Sequence, residues 1–477
     1  MAQRISCDIC VIGGGSGGLS VAAGASQMGA DVVLIEKSEM GGDCLNTGCV
    51  PSKALLAAGH AANNANRAAR FGIKTGKVSA NGKKVFDHVR GVIASIAPND
   101  SVERFESLGV NVIEDTARFT GPHTVVAGDQ EITAKYFVVA TGSRAFVPPI
   151  EGLGAMDPLT NENVFDLTDI PKHLIVIGGG PIGCELAQAF RHLGADVTVL
   201  DVYSIMPKDD PDLVDVVRKH LIEDGISLFE GCKVVRVQGD KEAPEVVILD
   251  SDGQEHILQG SHILVAAGRR ANVAGLGLEQ AGVDFSPMGI EIDQRLRSVS
   301  NRRIFAIGDV AGGLQFTHVA GYHAGIVIRN ALFKLPAKTK LDAVPWVTYT
   351  DPELSNVGLQ EAQAREKYGD DVRVLSWDFS ENDRALAERD SDGKVKAIVT
   401  QKGKILGCSM VGPRAGELIG PWVLAMEQGL KIGALASTIA PYPTLAEVSK
   451  RTAGSFYTPK LFGERTRKVV RFLMKFS

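Results

Sequence analysis

One pattern occurs twice in this chain, and it leaves little freedom about the fold. The first copy is an apolar run over residues 7–12, then Gly13-Gly14-Gly15-Ser16-Gly17-Gly18, an alanine-rich stretch to Gly29, a second apolar run over 31–35, and Glu36. The second copy is an apolar run over 173–177, then Gly178-Gly179-Gly180-Pro181-Ile182-Gly183, a helical stretch from Cys184 to Leu193, a run from Asp196 to Leu200, and Asp201. Strand, G-x-G-x-x-G, helix, strand, acid is the order of a βαβ unit that carries a dinucleotide. Gly13 permits the tight turn, Gly15 the close approach of a pyrophosphate, and Gly18 the packing of helix on strand. Glu36 can accept hydrogen bonds from a ribose. Gly178, Gly180, Gly183 and Asp201 repeat these roles. Two units imply two dinucleotides, and the simplest pair is a flavin that stays and a nicotinamide that comes and goes.

Shortly after the first copy stands Gly41-Gly42-Asp43-Cys44-Leu45-Asn46-Thr47-Gly48-Cys49-Val50-Pro51-Ser52-Lys53. Five residues of ideal helix rise roughly 7.5 Å, whereas a disulfide wants its Cα atoms about 4.4–6.8 Å apart. Cys44 and Cys49 can therefore bond only across a distorted segment, for which Gly48 supplies slack. A bond closed under strain is easily reduced. Pro51 suits a first helical turn. A helix starting near Cys49 would favour a thiolate there. The alternative is a plain stapling disulfide, a device of small secreted chains.

The bulk numbers bound the class. A chain of 477 residues has room for about three domains. At 44% hydrophobic and 22% charged it has the composition of a soluble globular protein. A net charge of -5 argues against a general nucleic-acid binder. Seven cysteines leave at least one thiol unpaired, which points to a reducing, cytoplasmic setting. No basic start followed by an apolar run is seen, so no signal peptide is expected, and no apolar stretch is long enough to span a bilayer.

The cysteine block resembles the active-site segment of the class I flavoprotein disulfide reductases, the pyridine nucleotide-disulfide oxidoreductases. That family includes dihydrolipoamide dehydrogenase, glutathione reductase and mercuric reductase. Further segments extend the likeness. Residues 138–143, with Thr141 and Gly142, resemble the strand closing the first FAD segment. Residues 266–270, with Gly268, resemble its counterpart in the nicotinamide domain. Residues 304–309, with Gly308 and Asp309, resemble the second FAD fingerprint, whose aspartate meets the ribityl chain. The resemblance implies an α/β protein with two Rossmann-like domains, the nicotinamide domain (151–275) inserted in the FAD domain (1–150 and 276–342). A C-terminal α+β domain (343–477) would form a homodimer with shared active sites. Asp201 would repel a 2′-phosphate, and no arginine falls in 201–206, so NADH is expected rather than NADPH.

The implied electron route runs from NADH through FAD to the Cys44–Cys49 disulfide. By resemblance Cys49 is the charge-transfer thiolate against the flavin and Cys44 the interchange thiol. Lys53, one helical turn past Cys49, would pair with a glutamate near the flavin, matched here by Glu185. One position departs from the family. Where members acting on thiols carry a histidine, followed five residues later by a glutamate, this chain has Tyr442 and Glu447. Histidine titrates near ~6.5 and tyrosine near ~10. A phenol is a poor base at neutral pH, which could cost on the order of 10²–10⁴ in rate with a thiol substrate. Mercuric reductases resemble the chain at this point, and a soft metal held by two thiolates needs no proton shuttle. The likeness to them is partial. No cysteine occurs in 471–477, and no tyrosine in 157–159. The expected acceptor is a metal ion or a protein or other non-standard acceptor. The alternatives are dihydrolipoamide with NAD⁺, and a flavoprotein subunit docked on a membrane or partner.

Other features read as packing. Cys7 and Cys10 flank a buried strand. Cys184, Cys232 and Cys408 have no partner in sequence, and no histidine cluster has zinc spacing. His318 either reaches the flavin ring or packs and caps. Residues 381–385, placed ahead of the interface strands, mark a branch of the family with no assigned chemistry. The tail 464–477 alternates Arg465, Arg467, Lys468, Arg471 and Lys475 with apolar residues. It either rests weakly on an anionic membrane or membrane partner, or packs on the chain's own surface.

Overall fold

The computed structural model describes residues 3–476, so the outermost positions of the expected domain ranges, 1–2 and 477, lie outside them. Packing divides the chain into two compact units. The first takes the residues up to Gly179, Ala189–Val202 and Gly231–Lys340. The second takes Gly180–Gln188, Tyr203–Glu230 and the chain from Leu341.

The first unit is built on a sheet with Gln3–Ile12 at its centre. Val32–Glu36 and Gln130–Val139 flank it in parallel, with Cys10 opposite both Val33 and Phe137. Val110–Glu114 extends the sheet on one side and Ile304–Ala306 adds to Gln130–Val139 on the other. The second half of the central strand, Ile9–Ile12, is buried and apolar throughout rather than alternating, as a strand covered on both faces requires, whereas Gln3–Asp8 is mostly polar and partly exposed. Cys10 and Ile12 pack with Phe119 and Phe137, whereas Ile9 and Val11 pack with Val21 and Ala25 of helix Ser16–Gln27 and Val327 of helix Thr317–Ala331. Cys7 and Cys10 are core residues, and burial pushes both thiols up, Cys7 to about 12. The second repeat places Asp196–Leu200, His173–Ile177 and His262–Val265 side by side in parallel.

The second unit centres on an antiparallel sheet in the order Pro345–Thr348, Glu353–Gly358, Ile405–Gly412, Lys394–Thr400, Val372–Asp378. Its core gathers Trp422, Phe379 and Met410. Lys396 fastens the segment around helix Pro211–Glu223 to this sheet. Its ammonium reaches Asp210 at 2.8 Å, Asp212 at 3.1 Å and Glu361 at 2.8 Å, so three donors meet three carboxylates. Residues 381–385 lie between the strands Val372–Asp378 and Lys394–Thr400 rather than ahead of the sheet.

The tail forms a helix, Glu464–Leu473, with no buried residue. Gly463 enters the helix extended, at φ -72° and ψ 159°, and Thr466 Oγ1 donates to the Lys460 carbonyl at 2.6 Å. Among the described residues no helix is long and apolar enough to cross a membrane.

Candidate active site

Both glycine turns are fixed by sterics. Gly13 has φ +110°, and a Cβ there would stand 2.4 Å from the Ala140 carbonyl oxygen. Gly178 has φ +115°, and its Cβ would stand 2.4 Å from the Ala266 carbonyl oxygen. A Cβ on Gly18 would fall 1.9 Å from the Gly13 oxygen, so only glycine fits. Gly15 has nothing nearer than the Gly42 Cα at 3.9 Å, and Gly180, Gly142 and Gly268 have nothing within 4 Å. Gly183 lies inside the helix Pro181–His192. Each repeat's acid bonds the second glycine of its own turn. Glu36 accepts the Gly14 N–H at 2.5 Å and the Ser38 N–H at 2.8 Å, and Asp201 accepts the Gly179 N–H at 2.6 Å.

The first cradle fits an extended dinucleotide such as FAD. The helix Ser16–Gln27 begins straight after the turn with no side chain capping its first N–H groups, which would be free to hold a pyrophosphate. Thr141 donates to the Asn272 carbonyl at 2.8 Å, and Asn272 returns a bond to Thr141 at 2.9 Å. Gly308 donates to His323 Nδ1 at 3.3 Å. Burial holds that imidazole down to about 4, hence neutral, and its Nε2 is buried without a partner among the described residues. Asp309 accepts from Ser143 at 2.5 Å, and burial pushes its carboxyl up against the pull of Ser143 and Arg269.

The cysteine segment begins on this cradle. Gly41 N–H donates to the Gly14 carbonyl at 2.9 Å, and a Cβ on Gly42 would stand 2.8 Å from the Gly15 Cα. Two short helical starts replace one continuous helix: Gly42–Asn46, then Cys49–Arg67. Gly48 sits at the break, where a Cβ would be 2.8 Å from the Asp43 carbonyl oxygen. Cys44 is half-buried and Cys49 exposed. Cys49 Sγ is 3.4 Å from the Thr317 hydroxyl, at the start of Thr317–Ala331. The hydrogen bond from Cys44 holds Cys49 down to about 6, opposed by burial and aided by Thr317 and the Lys53 charge. The same bond, with burial, pushes Cys44 well up. One sulfur is thus poised as thiolate while the other keeps the proton.

Asp43, beside Cys44, is tied down on every side. Arg269 meets it at 3.1 Å, Asn161 donates to it at 2.9 Å, and Thr47 donates to it at 2.9 Å. Arg269 also donates to the Ser143 hydroxyl at 2.7 Å. This links Asp43 to Asp309 through two side chains.

The second unit carries the remaining candidates. Tyr442 is 71% exposed, and its hydroxyl donates to Asp383 at 2.9 Å. That bond, with the charges of Asp383 and Glu447, raises the phenol further. Glu447 opens the helix Glu447–Ser455. Asn382 caps its own helix through Ala385 N–H at 3.0 Å and donates to the Thr444 carbonyl at 3.1 Å. It thereby docks residues 381–385 onto the Tyr442 segment. Glu185 is buried and accepts the Tyr349 N–H at 2.9 Å. Lys53 belongs to the first unit. Sequence patterns single out none of Thr317, Asn161 and Asp383 as site residues. Thr317 is 268 residues from Cys49, and no local pattern links them.

The family described as pyridine nucleotide-disulphide oxidoreductase matches residues 7–324, and its dimerisation domain matches 344–453. A mercuric reductase of Staphylococcus aureus is 35% identical over 451 residues, covering 94% of this chain and 82% of that protein. A dihydrolipoyl dehydrogenase of Bacillus subtilis is 33% identical over 447 residues, covering 92% and 96%. The Cu(II) complex of the HOCl-induced flavoprotein disulfide reductase RclA from Escherichia coli superposes with a TM-score of 0.84 at 27% identity, covering 94% of this chain and 99% of that one. The chain belongs to the pyridine nucleotide-disulphide oxidoreductases, as an FAD-dependent NAD(P)H flavoprotein with a dimerisation domain.

Proposed function

We propose that Cys44 and Cys49 deliver electrons from NADH to a thiol-binding metal ion, Hg(II) or Cu(II), held between the two sulfurs. The observation that carries this reading is Tyr442: an exposed phenol, bonded to Asp383 and held above its ordinary value, where a thiol-handling enzyme needs a base. Bound FAD supplies the two-electron relay between nicotinamide and sulfur. The residues do the rest. Cys49 waits as thiolate near pH 6 and above. Lys53 adds a positive charge one turn away. Both sulfurs bind the ion and release the Cys44 proton. Two electrons from one NADH then reduce one Hg(II) to Hg(0), or two Cu(II) to Cu(I), leaving NAD⁺ and one proton. In the homodimer the partner subunit's Tyr442 and Glu447 would complete the acceptor side. NADH is favoured over NADPH by Asp201. The domain ranges 1–150 with 276–342, 151–275 and 343–477, and a cytoplasmic setting, belong to the same reading. The mercuric reductase relative and the Cu(II)-bound structural neighbour support it.

An NADH-oxidation screen against Hg(II), Cu(II), lipoamide and glutathione disulfide tests it. Metal-dependent turnover should vanish in Cys44→Ser. Tyr442→His should raise dithiol turnover by about 10² or more, the range that a matched general base contributes. The likeness to dihydrolipoyl dehydrogenase favours a second reading, oxidation of dihydrolipoamide with Tyr442 sufficing. Fast stopped-flow reduction of the wild type by dihydrolipoamide would establish that reading and end the first.

A further inference from the structure

We infer that the helix Glu464–Leu473 seats this protein on an anionic lipid surface, lying in the plane of the headgroups. The apolar side chains of this helix are largely exposed. Val470, Leu473, Met474 and Phe476 are 51%, 59%, 68% and 76% exposed, and no residue of the helix is buried. Monomeric soluble proteins rarely leave a contiguous apolar face open without a use for it. At about 100° per residue, Val469, Val470, Phe472 and Leu473 share one arc of the helix, and Met474 and Phe476 follow directly past its end. Arg467, Lys468 and Arg471 occupy the opposite arc, with Lys475 just past the last turn. Only Arg465, in the first turn, stands on the apolar side. The Phe472 and Phe476 rings pack edge to face at 5.1 Å between centroids, making one aromatic wedge.

Charge selects the occupant. Five cations against Glu464 alone give residues 464–475 a net +4. The rest of a chain whose total is -5 therefore carries -9. An anionic bilayer repels that remainder and attracts this segment, so the helix sets how the protein would land. Ten helical residues rise roughly 15 Å, too little to cross the hydrocarbon. A short helix with an apolar arc and long basic side chains around it lies at the interface instead, its cations snorkelling to the phosphates. A second copy of the same helix is a poorer occupant, because its +4 would face an identical +4. The segment also lies beyond 344–453, the range that matches the dimerisation domain.

Vesicle flotation of the full-length holoenzyme tests the assignment. Vesicles of equimolar phosphatidylglycerol and phosphatidylcholine are compared with phosphatidylcholine alone, at low salt and at about 1 M NaCl, where the screening length is about 3 Å. The expected result is recovery with anionic vesicles at least about tenfold above neutral ones, lost at high salt. Val470→Glu with Leu473→Glu, and separately Arg467→Glu with Arg471→Glu, should each abolish flotation. NADH oxidation and the dimer mass should not change in either variant. Equal recovery on both vesicle types, or flotation of either double variant as wild type, would overturn the proposal. So would conversion of a variant to monomers, which would place the helix between subunits.

Discussion

The two glycine turns are nearly the same object, and they differ in the chain immediately downstream of each. Gly13 and Gly178 share the same positive φ and the same 2.4 Å encounter with a backbone carbonyl. Glu36 and Asp201 close their turns with the same kind of bond, to Gly14 and Gly179. After Glu36 the chain doubles back, and Gly41 pins the cysteine segment onto Gly14. After Asp201 it runs outward through Val202 and Tyr203, 57% and 69% exposed. The first turn is packed against the segment that carries Cys44 and Cys49, whereas exposed chain follows the second. In the reading proposed above, the first turn holds the flavin beside the cysteines and the second takes the nicotinamide that enters and leaves each cycle.

The largest expected effect comes from placing one methyl group on each turn. Gly13→Ala and Gly178→Ala create the same clash, costing about 1–3 kcal/mol in overpacking alone, with backbone strain of order 1–3 kcal/mol added. The consequences should diverge. Gly13→Ala should shed flavin on gel filtration and lose turnover by about 10² or more, since a relative loss of 1.4 kcal/mol is already tenfold. Gly178→Ala should keep its visible flavin spectrum and raise the KM for NADH about tenfold. Loss of flavin from both variants would break the division of roles.

The next effect concerns the thiolate. Cys49 is lowered from 9.0 to about 6, first by the Cys44 hydrogen bond and then, against burial, by Thr317 and Lys53. A depressed thiol is ionised above its shifted value and protonated below it. Iodoacetamide labelling of the reduced enzyme should therefore rise through pH 6 and level off by pH 7. Thr317→Val removes the hydroxyl 3.4 Å from Sγ, and should move that midpoint up toward the ordinary thiol value. A midpoint near 9 in the wild type would mean that the pair lacks this poise.

The contrast between the turns is legible in sequence because it is local. Turn glycines, flanking strands and a terminal acid fall within about thirty residues, and each spacing has a steric reason. The same holds for the cysteine block, where Gly48 marks the break between two helices. The contacts that sequence does not disclose are non-local. Thr317 reaches Cys49, Asn161 reaches Asp43, and Asp383 reaches Tyr442 only because distant parts of the chain lie side by side. Residues 381–385 stand out as a pattern, but the partner that gives Asp383 a role is 59 residues away. The tail shows its amphipathic spacing in sequence. That none of its residues is buried depends on what the rest of the fold offers it, which periodicity does not contain.

The smallest expected effect probes the acid that the two turns share. Asp201 accepts the Gly179 N–H at 2.6 Å, and in the proposed reading its charge has a second role, facing the ribose 2′-position of the nicotinamide nucleotide. Asp201→Asn separates the two roles, since the amide oxygen still accepts while the charge is gone. The ratio of kcat/KM for NADH over NADPH should fall about tenfold, the 1.4 kcal/mol that one lost charge-assisted contact supplies. Flavin content should stay fixed. Asp201→Ala removes the acceptor as well, leaving the Gly179 N–H to find water, and should raise KM for both nucleotides together. The matching change in the first turn, Glu36→Gln, should leave the nucleotide ratio alone and act only on flavin retention. If Asp201→Asn leaves the ratio unmoved, the carboxylate serves the loop rather than the ribose, and the second acid is a brace like the bond from Glu36 to Gly14.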